Sequence, residues 1–182
     1  MSGPVGDNVA RASGVIASAG GGGEVLQVVS YATASTAGRA AATQYYDIPS
    51  FLVAITPAAT DSRIWVQVSI GMWGQTSGGQ NLYAVERAIS GGATELLPTV
   101  GTASGNRLGG HGRQYCDSAD YGSAMNFSVL DTTHNTTSEI TYQLQWNPQG
   151  TSYLNRSGND GNTAEAYGGR TASNMTAWEI GA

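Results

Sequence analysis

From residue 24 onward, apolar and polar positions alternate along much of the chain with a period of two. The stretch "SRIWVQVSIGMW" is the clearest case. Ile64, Val66, Val68, Ile70 and Met72 fall on one face, and Arg63, Trp65, Gln67 and Ser69 on the other. Such alternation marks a strand with one buried face. "EVLQVVSY" reads as an earlier strand, and "QYYDIPSFLVAI" as one that Pro49 interrupts, which points to an edge or a bend. "QNLYAVERAI" follows the turn-rich "GQTSGG", and "ATELLPTV" is short. "NRLGGHGRQY" is broken by glycine and reads as irregular. "SAMNFSVLD" and "SEITYQLQW" are strands joined by a polar turn around His134 and Asn135, with Ile140, Tyr142, Leu144 and Trp146 on one face. "TSYLNRS" and "NMTAWEIG" complete the set, separated by the loop "GNDGNTAEAYGGRTAS".

About eight or nine short strands at regular spacing, with no helical pattern between them, indicate a sandwich or barrel. The long connections suit Greek-key crossovers. The pattern therefore predicts an all-β fold, an antiparallel two-sheet β-sandwich of jelly-roll type over residues 24–182. Residues 1–23 lack the alternation and read as an extended N-terminal docking arm. "ARASGVIA" could form a helical turn, but Gly20 to Gly23 stop it. Ordering backbone costs about 1–2 kcal/mol per residue, on the order of 20–40 kcal/mol over such an arm. Its few apolar side chains do not offset that alone. The arm is expected to need a partner surface, with Val5, Val9, Arg11, Val15 and Ile16 as the docking residues.

Composition narrows the function. The chain has 182 residues, 26 of them glycine, and only 12% are charged. A net charge of −5, with no lysine at all, argues against a nucleic-acid surface. No apolar run reaches membrane-spanning length, and the N-terminus shows no basic region followed by an apolar core. The expectation is a protein without nucleic-acid or membrane partners.

Candidate chemistry is sparse. His111, Cys116 and His134 lack the close paired spacing of zinc ligands. Asp117 and Asp120 in "CDSADYG" read as turn formers before they read as an acid–base pair. "NDGN", Asn159 to Asn162, resembles a fragment of a calcium loop without its closing Glu. There is no G-x-S-x-G elbow. Four N-x-S/T sequons, at Asn126, Asn135, Asn155 and Asn174, are expected in a chain this rich in Asn and Thr. No enzyme activity, metal or cofactor is expected. Trp65 and Trp178, on polar strand faces, could stack on sugars, on another subunit or within the sheet. The loop tyrosines Tyr115, Tyr121 and Tyr167 are candidate surface or ligand contacts.

Four stretches, "GDNVARASG", "GEVLQVVSY", "ITPAATDSRIWVQVSI" and "SYLNRSGND" with "YGGRTASNMTAWEIGA", carry a resemblance. Together they make the chain similar to bacteriophage virion structural proteins, especially those of marine and cyanobacterial phages. The resemblance implies a trimeric β-sandwich that decorates or cements the head, or forms a short fibre. It would be located in the virion and anchored to capsid or tail proteins by its arm. The alternative is a tail-borne module that binds host surface glycans.

Overall fold

The computed structural model describes residues 23–75, 79–98, 101–116, 118–160 and 169–182. The arm residues Val5, Val9, Arg11, Val15 and Ile16 lie outside them, as do Tyr167 and Asp117. The described residues form strands and loops with no helix.

Eleven strands run in chain order: β1 (Val25–Thr33), β2 (Ala37–Arg39), β3 (Tyr46–Ile55), β4 (Arg63–Gln75), β5 (Gly79–Ile89), β6 (Thr94–Leu96), β7 (Gly112–Cys116), β8 (Gly122–Asp131), β9 (Ile140–Pro148), β10 (Ser152–Leu154) and β11 (Ser173–Ile180). They build two antiparallel sheets. In sheet A the long strands lie in the order β1-β11-β4-β8, and in sheet B in the order β3-β9-β5-β7. The short strands extend these ladders. β10 takes over the side of β4 that β11 leaves, and carries β2. β6 continues along β5 beyond β7.

Between successive long strands, only the β5–β7 connection stays within one sheet; every other one passes from sheet to sheet. That order is a jelly roll, as the strand pattern predicts. The inward faces of both sheets meet in one core that includes Ile64, Val66, Val68, Trp73, Val85, Tyr142, Leu144, Trp146 and Met175. β9, and β4 as far as Ile70, supply it by alternation.

Local detail refines these readings. β3 is an edge strand of sheet B and is interrupted around Pro49, as expected, with a register irregularity between Asp47 and Leu52 and Ser50 at φ 57°. The proline, which has no N–H to donate, thus falls where the ladder to β9 is already broken. In β4 the alternation slips between Ile70 and Trp73. Beyond the slip Trp73 and Gln75 are buried, so Trp73 joins the core instead of the polar face. Finally, the glycine-broken stretch ends in an ordered strand, β7. Gly112 lies under Met125 and Phe127, where a Cβ would come within 2.9 Å of the methionine.

Candidate functional site

Tyr115 and Tyr121 stand at the β7–β8 crossing between the sheets, and both are open to solvent, 61% and 64% exposed. Local chemistry holds this turn. The buried Cys116 thiol lies 3.0 Å from the carbonyl oxygens of both Ser118 and Tyr121. A weak S–H donor is thereby satisfied inside the turn. The Asp120 amide donates to Ser118 Oγ at 3.2 Å, and the Asn159 side chain donates to the Asp120 carboxylate. The Asn159 amide donates to Ala119 O at 3.2 Å, which ties the 155–160 loop to the same end. Asp160 accepts from Arg170 Nη2 through both oxygens, at 2.8 and 2.9 Å. Asp120 and Asp160 are therefore engaged by Asn159 and Arg170. Among the described residues, no three His, Cys, Asp or Glu side chains come together as a metal site.

The two histidines serve the fold. His111 sits between β7 and β6 on the open side of β5. Its amide donates to Tyr83 O at 2.8 Å, and its Nδ1 accepts the Val85 N–H at 3.0 Å. Leu97 N then donates to Val85 O at 3.0 Å. The imidazole thus stands in for a missing strand residue where the ladder changes partner. Burial pushes its pKa down to about 4.

His134, expected in a polar turn, is buried. It meets Ser62, which in turn bonds Glu179, a grouping that residue spacing does not reveal. Ser62 Oγ donates to Glu179 Oε1 at 2.7 Å and lies 3.5 Å from His134 Nε2. The arrangement is not that of a nucleophilic triad. His134 Nε2 lies 2.7 Å from the Ser62 carbonyl oxygen and must donate to it, so that nitrogen is no base toward the hydroxyl. The carboxylate bonds the serine and not the histidine. Glu179 also accepts from Gln27 Nε2 at 2.6 Å and Ala58 N at 2.8 Å. Burial would raise its carboxyl, but these donors hold it below the ordinary value. The cluster fastens the 56–62 loop to β11 and β1.

A second buried cluster joins the sheets. Arg87 on β5 reaches Asp131 on β8, and Tyr142 on β9 donates to Asp131 Oδ2 at 2.8 Å. Glu95 on β6 covers the outer side of the guanidinium.

The outer face of sheet A is different in character. Cross-strand pairing aligns Val28, Trp178, Trp65 and Leu130 in one row over β1, β11, β4 and β8. Trp65 and Trp178 lie with ring centroids 6.1 Å apart and are half-buried against each other. The adjacent row, Ser30, Thr176, Gln67 and Ser128, is polar. Of the sequons, Asn155 is fully buried at φ 60° and donates to Thr33 O and Ser35 O, so it is closed to a glycan. Asn126 and Asn174 are exposed on this outer face.

No protein-family model matches the chain, and no curated protein matches its sequence. Among solved structures, the chain is similar to T=1 particles derived from infectious bursal virus, at 9% identity over 87% of this chain and 39% of that chain, with a TM-score of 0.36. It is also similar to infectious bursal disease virus of the Gx strain, at 14% identity over 87% and 37%, TM-score 0.34. A third likeness is to the VP2 subviral particle of infectious bursal disease virus, at 9% identity over 86% and 40%, TM-score 0.32. The chain spans 39%, 37% and 40% of the length of these three.

Proposed function

We propose that the chain is a structural protein of a phage particle, a homotrimeric head-decoration, cement or short fibre protein. In this reading residues 1–23 anchor the jelly-roll domain to capsid or tail subunits. The observation that carries it is the join between arm and sandwich. Gly23 N donates to Gly181 O at 3.0 Å, and Gly181 N donates to Glu24 O at 2.8 Å. The arm therefore starts from a fixed point at the edge strand β1, where its pull is borne by a β-ladder and not by a loop. The four stretches that resemble phage virion proteins support the particle assignment, and the small residues of the arm suit threading between subunits.

The test is deletion of residues 1–23. The truncated chain is expected to melt as the full chain does, to sediment as a trimer and to lose attachment to the particle. Retained attachment overturns the docking role, and a monomer at micromolar concentration overturns the trimer.

Exposure of Tyr115 and Tyr121 at one end favours a second reading, a tail-borne module whose aromatic rings stack on host surface glycans. Copy number separates the two, hundreds per particle for a shell protein against a few or tens for an adhesin. Glycan binding that is lost in a Tyr115→Ala, Tyr121→Ala double variant would favour the second.

A further inference from the structure

Val25, Leu26, Val28 and Leu130 are four of the large apolar side chains left open to solvent, and they gather at one end of the outer face of sheet A. Trp178 and Trp65 fill the row between Val28 and Leu130, and Ile180 lies opposite Val25. The polar row that begins at Ser30 bounds the patch on one side. A cluster of so few side chains covers a few hundred Å², roughly the size of a functional patch on a monomer. It falls short of the ~800 Å² that each partner of a stable dimer buries. Its size fits a short peptide segment better than a second domain.

One such segment is tethered beside it. The 22 residues that precede Gly23 end at the border of the patch, where Gly181 bonds Gly23 and Glu24, the neighbours of Val25 and Leu26. Gly23 holds φ at 122°, a conformation closed to most side-chain-bearing residues, two residues before the strand begins. Ile16 and Val15 are adjacent apolar residues seven and eight positions upstream of that point. Seven residues reach at most about 24 Å, and the row from Val28 to Leu130 crosses three strand gaps, about 14 Å. A short glycine tether also gives an effective concentration on the order of millimolar.

We propose that residues 13–17, through Val15 and Ile16, seat on this patch of their own chain. The inference goes beyond the docking role and stands without it, since it concerns the chain before any particle is met. It gives the apolar residues of the arm a place to shelter in the free subunit.

Amide hydrogen exchange on the purified full chain tests this, with the isolated peptide 1–22 as reference. Exchange in residues 13–17 is expected to be slowed about tenfold or more relative to the peptide, independent of protein concentration. The outward-facing substitutions Val28→Asp and Leu130→Asp together should restore the peptide rate and leave exchange in β4 and β9 unchanged. Exchange at the peptide rate in the full chain overturns the proposal. So does protection that grows with concentration, which would assign the patch to a second copy or its arm, and so does protection that survives the double substitution. Because no particle is present, failure here is separate from failure of the docking role.

Discussion

Arg87 and Asp131 face each other across the interior of the sandwich, with Arg87 Nη1 2.7 Å from Asp131 Oδ1 and 2.8 Å from Oδ2. One residue belongs to sheet B and the other to sheet A, so the ion pair couples the layers directly. Burial would raise the Asp131 carboxyl. The Thr133 N–H, the Arg87 guanidinium and the Tyr142 hydroxyl outweigh it and hold the carboxyl below its usual range. Removing one partner of such a pair leaves the other charged and buried, at a cost of about 3–5 kcal/mol.

Asp131→Asn should therefore lower unfolding free energy by that amount at neutral pH, measured by urea titration. The carboxyl titrates lower in the folded chain than in the unfolded one. Its contribution is present above the unfolded value near 4 and drains as pH falls below it. The variant should accordingly lose less on acidification than the native chain does. Equal acid sensitivity would show that Asp131 is not the group responsible.

Val68 and Gln67 are neighbours in β4 with opposite fates, one in the core and one in solvent. Val68→Asp should cost several kcal/mol by burying an unpaired carboxylate, much of a domain's stability. Gln67→Glu should change the melting temperature little. Comparable melting of the two would mean that the register of β4 is misplaced.

His111 makes a prediction of opposite chemistry. Its Nδ1 is occupied by the Val85 N–H and its pKa is down at about 4, against an unfolded value near 6.5. Protons bind the unfolded chain first, so stability is full above about pH 6.5 and falls as pH drops from there toward 4. His111→Gln should flatten that part of a plot of melting temperature against pH. An unchanged slope over this interval would count against the imidazole.

Chelation should leave the melting temperature where it is, because Asp120 and Asp160 are engaged by Asn159 and Arg170. A structural metal would contribute several kcal/mol, and its removal would lower the midpoint by many degrees. A drop of that size on adding chelator would direct attention to these two loops.

The sandwich is legible in the chain because burial on one face of a strand imposes a period of two, and β9, β11 and β4 as far as Ile70 keep it. What escapes is whatever breaks the period. Trp73 reads as outward by parity, and only the slip after Ile70 turns it inward. His134 sits in a run of Thr, Asn and Asp that looks like surface. Its burial depends on Ser62, 72 positions away, whose carbonyl its ring bonds. Tyr115 and Tyr121 are readable as exposed because they flank a turn. The apolar row of sheet A is not, since Val28, Trp178, Trp65 and Leu130 come from four distant segments that only strand pairing aligns.

The way His111 and Leu97 grip Val85 has a consequence for engineering. The segment between them departs from β5 and returns to it at almost the same place, so its two ends are pinned side by side by backbone bonds of 2.8 and 3.0 Å. Closing a longer excursion between fixed ends costs only about 0.6 kcal/mol for each doubling of length. Among the described residues of that segment, 102–108 are thus a graft port. Foreign peptides inserted there, with Leu97 and His111 kept, would be displayed from a scaffold whose strand order does not depend on what they are.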